Sequence, residues 1–289
     1  MIKNPSRAAL ARAVPGPGVS EDHGVRAHLK SLLSGYVEWN RRLTLDTWLR
    51  YRPVPPLIRK SRGDSGLLLD VGSGSVGLAF FLQRPVVSAD VAFSSSDMDR
   101  FSSPIRPVRA SATQLPFRDG AFRGVVSVDM LEHIPKQLRA QAIQELFRVS
   151  KDLVVIGFPY GDRSAAFDRR ALEEEKRRGV APVWREEHVR NGTPGSETHE
   201  LVLEAAQRSS PSRSIGWFGQ EGLFGLRLRW KLQFLVGRES RLYGLIFAPL
   251  YAIHARGVRR RAYRRFYVGR ANPNLVDEGP PKQTTTMLR

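Results

Sequence analysis

The 289-residue sequence predicts an α/β fold built on a doubly wound, mostly parallel sheet of seven strands. Two observations carry this prediction. Short apolar runs alternate with helical segments between residues 67 and 158, which is the order typical of parallel strands joined by helices. A glycine-rich turn also follows the first apolar run, where a strand would pass into a helix. The hydrophobic fraction of 41% is enough for one large core and excludes a wholly disordered chain.

The predicted domain organisation places additions on both sides of a central core. Prolines and glycines mark a flexible arm at the N-terminus. Apolar residues at helical spacing predict a helical segment after it, whose helix is ended by three prolines between residues 53 and 56. The predicted units are the arm at 1–24, the helical segment at 25–60, the core at 61–220, a basic helical addition with a last strand at 221–270, and a disordered tail at 271–289.

The elements of the core and its additions follow from the apolar pattern. The predicted strands cover residues 67–71, 86–91, 107–108, 124–128, 153–158, 214–218 and 266–268. The last of them is expected at an edge of the sheet. The predicted helices cover residues 76–82, 135–149, 169–178 and 197–207. Pro and Gly residues predict a loop over residues 179–197, and the many charges of residues 169–178 indicate a solvated helix face.

The glycine-rich turn indicates a binding site for a nucleoside-containing cofactor. Gly72 and Gly74 allow a ligand to approach the backbone closely, and the following helix offers free N–H groups. Asp90 ends the second predicted strand, where it can accept both hydroxyls of a ribose. The spacing up to Gly77 also fits a dinucleotide site, so an NAD-dependent oxidoreductase is one alternative. A carboxylate at Asp70 disfavours a phosphate and favours a cationic cofactor such as S-adenosylmethionine (SAM).

A second cluster of motifs carries a family resemblance. Its first part reads Ala110-Ser-Ala-Thr-Gln-Leu-Pro-Phe117, and its second part reads Asp129-Met-Leu-Glu132-His133 after an apolar strand. Over about residues 65–160, the chain resembles class I SAM-dependent methyltransferases, and most closely their small-molecule, quinone-biosynthesis branch. The resemblance implies a Rossmann-like sheet, methyl transfer as the activity and SAM as the cofactor.

The resemblance also implies which residues hold the cofactor. They are Asp70, Gly72, Ser73, Gly74, Asp90, Val91, Ser111, Ala112, Asp129 and Met130. The first four match the motif beside the methionine part of SAM, and the next two end the strand that carries the ribose-binding acid. The following two fall beside the adenine, and the last two line the sulfur end of the cofactor.

Two histidines are the candidates for catalysis. Methyl transfer from a sulfonium needs alignment above all, and a general base only when the acceptor is a hydroxyl. His133 is the first candidate, because it follows the strand that ends at the switch point of the sheet. His188 is the second, because the predicted loop around it can fold over a substrate. Oxygen is the expected acceptor atom, on a small-molecule or lipid-linked substrate.

The sequence predicts no metal site. The chain contains no cysteine, and no pair of histidine or acidic residues stands at ligand spacing on one predicted helix. The lack of cysteine also excludes disulfides and a cysteine nucleophile.

The basic C-terminal part leaves several partners open. The whole chain has a net charge of +18, and residues 227–270 contain twelve Arg or Lys and one acid. This segment is interpreted as a helical cap over the substrate, as a membrane-surface helix pair, or as a nucleic-acid-binding surface. Nucleic acid is the less favoured partner, because the cysteine used for pyrimidine C5 methylation is absent. A non-catalytic protein that binds membrane or RNA through this segment is a further alternative.

The location of the protein is predicted from what its segments lack. No segment has the composition of a secretory signal, and no apolar run approaches the roughly 20 residues that span a bilayer. A cytoplasmic protein is therefore expected, with peripheral contact at the inner face of the membrane as an addition.

Overall fold

The computed structural model describes residues 45–61, 66–74, 77–82, 84–93, 105–236 and 262–271. The predictions for the arm, for residues 25–44, for residues 237–261 and for nearly all of the tail lie outside the described residues. Within them, the helices are α1 (Leu45–Tyr51), α2 (Val54–Lys60), α3 (Leu78–Leu82), α4 (Arg139–Arg148), α5 (Gly161–Arg177), α6 (Val183–Asn191), α7 (Glu197–Ser209) and α8 (Leu223–Val236). Short 3-10 turns cover Leu131–His133 and Lys136–Leu138.

Seven strands form one sheet in the described part of the chain. They are β1 (Leu68–Val71), β2 (Val86–Asp90), β3 (Ile105–Arg109), β4 (Phe122–Val128), β5 (Ser150–Pro159), β6 (Ser214–Gly222) and β7 (Ala262–Arg270). Their order is β3-β2-β1-β4-β5-β7-β6. The pairs from β3 to β5 are parallel, and β7 runs antiparallel to both of its neighbours. The predicted doubly wound, mostly parallel seven-stranded sheet is confirmed, and its switch point lies between β1 and β4.

The position of the last strand differs from the prediction. β7 is an inner strand, because it pairs with β5 from Leu153↔Arg270 to Pro159↔Arg264 and with β6 on its other side. The edge strand on this side of the sheet is β6 instead. Arginines at the start of β7 are typical of a short, exposed edge strand. Arg264, however, is buried and paired with acidic side chains, so its charge does not indicate exposure to solvent.

Both faces of the sheet are covered. Alternate residues of one strand point to opposite faces, so Val125 belongs to a core cluster that includes α4 and α7, while Val126 belongs to a cluster that includes α2 and α3. Strands buried on both faces read as continuous apolar runs, which is why the sequence predicts them well.

The prolines near the N-terminal side of the core start a helix as well as ending one. α1 ends at Tyr51, and α2 begins at Val54 after Pro53, with two further prolines in its first turn. Proline is tolerated there because the first N–H groups of a helix have no partner within it.

The region after β5 contains more helix than predicted. α5 begins at Gly161, eight residues before its predicted start at 169, and buries Phe167, Asp168 and Glu175 instead of being only a solvated helix. The predicted loop at 179–197 contains α6, whose buried side chains are Arg185 and His188. Because the buried face of α6 is charged, the helix shows no apolar periodicity for sequence analysis to detect.

The segment predicted as a basic helical addition contains α8, and its residues 237–261 lie outside the described residues. Among the helices that the structure describes, none combines the length and the apolar composition that crossing a membrane requires.

Candidate active site

A cleft of about 520 Å³ opens at the carboxyl ends of β1, β2 and β4. Nine of the ten predicted cofactor residues line it, and so does His133. The nine are Gly72, Ser73, Gly74, Asp90, Val91, Ser111, Ala112, Asp129 and Met130. Asp70 does not line the cleft, and His188 lies behind His133 in a smaller adjoining cavity of about 50 Å³.

The glycine turn forms the floor of the cleft. Gly72 has φ +78°, and a Cβ atom there would lie 2.7 Å from the Cβ of Met130, so a side chain would be both strained and in collision. Gly74 has φ +58°, and its N–H donates to Oδ2 of Asp90 at 2.8 Å. The turn is therefore fixed to the end of β2.

Asp70 supports the turn from below instead of facing a ligand. Its Oδ2 accepts a hydrogen bond from the N–H of Leu78 at 2.7 Å, and its Oδ1 accepts one from the hydroxyl of Tyr51 at 3.2 Å. A Cβ at Gly77 would overlap Oδ2 of Asp70, so this position requires glycine. Burial raises the pKa of Asp70 to about 7, although both hydrogen bonds act in the opposite direction. The prediction that this carboxylate faces the cofactor is corrected by its complete burial.

Asp90 keeps acceptor capacity toward the cleft. Its two oxygens accept the N–H groups of Gly74 at 2.8 Å and Ala92 at 3.2 Å. An ionised carboxylate has about four lone-pair positions, so two remain for ligand hydroxyls. On a neighbouring part of the cleft wall, the hydroxyl of Ser111 lies 2.8 Å from that of Thr113 and accepts its N–H.

Asp129 is held by two arginines that the sequence analysis did not identify. The backbone of Asp129 has φ +53°. Its carboxylate pairs with Nε and Nη2 of Arg264 at 2.7–2.9 Å and with Nε of Arg50 at 3.1 Å. Burial alone raises the pKa of Asp129, but the charges of Arg264 and Arg50 outweigh it and hold the pKa below its ordinary value. An arginine pair inside an otherwise apolar strand is the sequence signal that points to Arg264.

The two predicted catalytic histidines are in contact. Their Nε2 atoms lie 3.3 Å apart. Nδ1 of His133 lies 2.7 Å from Oε2 of Glu187, and Nδ1 of His188 lies 3.2 Å from Oδ2 of Asp168. Burial, and then the neighbouring His188, lower the pKa of His133, while Glu187 raises it. The four side chains form a row from the cleft wall into the interior.

α6 delivers one half of this row, and buried charges fix it. Arg185 donates to Oε2 of Glu175 at 2.7 Å and to Oδ1 of Asp168 at 2.9 Å, and the hydroxyl of Tyr263 also donates to Asp168. Sequence analysis missed Asp168 and Glu187 because Asp168 lies just before the predicted helix at 169–178 and Glu187 lies in the predicted loop at 179–197.

Glu132 lies beside this row, next to His188. It is fully buried, and neither carboxylate oxygen accepts a hydrogen bond from another described residue. Its Oε1 lies 3.7 Å from Nε2 of His188. Burial, and then the negative charge of Asp129, raise the pKa of Glu132 well above its ordinary value. Ligand atoms of Glu132, His133 and His188 lie within 4.8 Å of one another, a grouping that the sequence analysis did not identify. The group was missed because its members come from a β4 loop and from α6.

Comparisons with known proteins bear on this site. A family model described as "Methyltransferase domain" matches residues 69–155, the part of the chain that contributes all ten predicted cofactor residues and His133. No curated protein matches the chain.

Solved structures with a similar fold have low sequence identity. One is a SAM-dependent methyltransferase from Thermotoga maritima, with 13% identity, a TM-score of 0.45, and coverage of 83% of this chain and 96% of that chain. Another is the YcgJ protein from Bacillus subtilis, with 12% identity, a TM-score of 0.46, and coverage of 77% and 99%. A third is a Burkholderia thailandensis 1,6-didemethyltoxoflavin-N1-methyltransferase with bound S-adenosylhomocysteine, with 18% identity, a TM-score of 0.34, and coverage of 52% and 68%.

The family match decides between the two cofactors that the glycine turn left open. It covers the strand, the turn and the cleft wall that a nucleoside cofactor needs. Residues 69–155 therefore match a methyltransferase domain, and S-adenosylmethionine is the cofactor.

Proposed function

We propose that the protein methylates an oxygen atom of a small or lipid-linked acceptor that enters the cleft beside His133. SAM, when bound, supplies a methyl group whose bond to a positively charged sulfur breaks as the bond to the acceptor forms. The observation that carries the choice of oxygen is the histidine row at the cleft wall, because a hydroxyl acceptor needs a group that removes its proton.

The cofactor-binding roles are proposed from the cleft wall. Asp90 accepts the ribose hydroxyls with the oxygen lone pairs that its two backbone donors leave free. Gly72 and Gly74 let the methionine part approach the backbone, since neither carries a side chain there. Ser111 and Ala112 lie beside the adenine. The fit is supported by the size of the cleft, which falls in the usual range of about 300–1,000 Å³ for such ligands.

The histidine row activates the acceptor. The His133 side chain is 32% exposed, and it lines the cleft together with Glu187 of the same row. With its Nδ1–H donated to Glu187, the neutral imidazole keeps its Nε2 lone pair, which faces Nε2 of His188 within the row. His188 and Asp168 position it from behind. The row is thus placed to take part in removing the hydroxyl proton.

An apolar acceptor is supported by the cleft wall next to His133. Ile134, Pro135 and Leu138 line it, and Leu138 is exposed. These side chains favour contact with a hydrocarbon group. The quinone-biosynthesis branch stays a prediction.

A two-part experiment tests the proposal. Isothermal titration measures the affinity of the full chain for SAM and S-adenosylhomocysteine, and a homocysteine-release assay then screens phenols, quinols, alcohols and amines as acceptors. We expect dissociation constants well below about 1 mM for both compounds, and methylation of a hydroxyl-bearing acceptor. Binding no tighter than about 1 mM would overturn the proposal, and turnover confined to amines would overturn the choice of oxygen.

A further inference from the structure

We propose that Glu132, His133 and His188 bind a divalent transition-metal ion, of the zinc type, at the wall of the cleft. The site uses two imidazole nitrogens and one carboxylate oxygen from a β4 loop and from α6. The proposal deepens the proposed function, on which the catalytic use of the ion rests, but the binding of the ion is testable without any methyl transfer.

The distances suit such an ion. With metal–ligand bonds of about 2.0–2.2 Å, the donors of a tetrahedral zinc site stand about 3.3–3.6 Å apart. The two Nε2 atoms are 3.3 Å apart, and Oε1 of Glu132 is 3.7 Å from Nε2 of His188. All three ligand atoms lie within 4.8 Å of one another. One ion therefore reaches the three donors with small side-chain adjustments.

The outer contacts of the two histidines support the same conclusion. Each Nδ1 faces a carboxylate, Glu187 for His133 and Asp168 for His188. A carboxylate accepts a hydrogen bond, so it holds the imidazole hydrogen on Nδ1 and leaves a lone pair on Nε2. Both lone pairs then point into the same space and repel each other. Histidine ligands of metal ions are oriented by such carboxylate partners, and a cation between the Nε2 atoms removes the repulsion.

Glu132 gives an independent indication of a cation. A buried carboxylate without a partner is costly, because it has lost its hydration and gained no donor. Glu132 is fully buried, and no other described residue donates a hydrogen bond to its carboxylate. The nearest ring nitrogen, Nε2 of His188, carries no hydrogen when its Nδ1 donates to Asp168. A positive ion between the three donor atoms would give this carboxylate and both imidazoles a partner.

The ion would also explain how the acceptor is activated. Three protein ligands leave a fourth position, which a substrate oxygen would reach from the side of His133, the ligand that lines the cleft. A hydroxyl oxygen bound there would have its pKa lowered, so its O–H bond breaks, the electron pair stays on oxygen and the proton leaves to solvent through the cleft. His133 would then serve as a ligand instead of accepting the proton itself.

The experiment measures metal binding by the full-length chain. Protein stripped with a chelator is titrated with ZnCl₂ by calorimetry, and with CoCl₂ by the visible absorption of four-coordinate cobalt. We expect roughly one ion per chain. H188A and E132Q should lose it. E187Q, which removes only the outer partner of His133, should weaken binding about 10- to 100-fold. H199Q is the matched control, because His199 is a half-buried histidine outside the cluster.

Two results would overturn the proposal. One is wild-type protein that binds neither ion, which would mean that the two imidazoles share a proton instead. The other is binding by E187Q equal to that of H199Q, a comparison that holds even if H188A or E132Q fails to fold. SAM affinity measured on the same samples separates the two proposals: metal binding without SAM binding refutes the proposed function alone, and the reverse refutes the metal site alone.

Discussion

The Nε2 atoms of His133 and His188 lie 3.3 Å apart, although 55 positions separate the two residues in the chain. The contact joins the loop after β4, inside the region that the family model matches, to α6, which follows that region in the chain. Chemistry at the cleft wall therefore depends on a helix outside the region that the family model matches. The predictions below test the cleft, its supports and the surface next to it.

Replacing Asp90 with alanine should weaken binding of S-adenosylhomocysteine by about 1.5–3 kcal/mol, because hydrogen bonds to a charged acceptor are lost. Isothermal titration measures this. Glu204→Ala, an exposed carboxylate on α7, is the control and should leave the affinity unchanged. Equal affinity in wild type and Asp90→Ala contradicts the ribose role.

Replacing Gly72 with alanine should lower the free energy of unfolding by about 1–3 kcal/mol and weaken SAM binding, because φ is +78° and the new Cβ meets Met130. Gly179→Ala is a matched control, since Gly179 has φ +67° with open space around it. The difference between the two variants in urea unfolding reports the collision alone. A larger loss for Gly179→Ala contradicts the packing of the turn.

The stability contributed by Asp70 should depend on pH. Folding raises its pKa to about 7, so its contribution is fully present below the unfolded pKa of about 4 and is lost as the pH rises through 7. Asp70→Asn removes the titration, and its carbonyl can still accept the N–H of Leu78. Relative to wild type, the variant should gain roughly 1 kcal/mol per pH unit across this window in urea unfolding. A constant difference at acidic and neutral pH contradicts this assignment.

Replacing Arg264 with leucine should lower the free energy of unfolding by about 3–5 kcal/mol. Arg264 is buried and pairs with Asp129 and Glu221, so its loss leaves two buried carboxylates short of a partner. Arg208→Leu removes an exposed pair with Glu204 and should cost less than about 1 kcal/mol. Thermal and urea unfolding measure both, and similar losses would contradict the account of the buried pairs.

Peripheral membrane contact stays a prediction of the basic addition, and α8 offers a test of it. Its exposed residues include Phe224, Arg227, Leu228 and Lys231. We expect the full chain to co-sediment with anionic vesicles. Reversing both basic charges to glutamate should reduce binding by at least about tenfold, since each contributes about 1 kcal/mol near such a surface. Lys136→Glu is the control, and equal sedimentation of all proteins contradicts membrane contact through α8.

The sequence predicts the cleft well because its residues occupy strand ends. Gly72, Asp90 and Asp129 each follow an apolar run, and the topology of a doubly wound sheet brings such ends together. The inward direction of Asp70 could not be predicted, because it depends on Tyr51 and on the N–H of Leu78, which reach it only in the folded chain.

The sequence singled out His133 and His188 but could not predict that they meet. The two residues come from different elements, and the buried face of α6 carries Arg185 and His188 where apolar residues would mark a helix. Buried charges that satisfy one another leave no periodic pattern. The order of the last two strands was also out of reach, because β6 and β7 pair across a long intervening segment.

The inner position of β7 affects how the chain is made on the ribosome. β6 hydrogen-bonds only to β7 in the described sheet, and β7 is the last of the described strands to be synthesised. Until Arg270 leaves the exit tunnel, β5 remains an open edge and β6 has no paired strand. Both are then able to pair with strands of another chain. Arg264, which anchors Asp129, arrives on the same strand. Nascent chains therefore complete the described sheet only after β7 has been made, and a product truncated before β7 would keep β5 as an open edge, prone to aggregation.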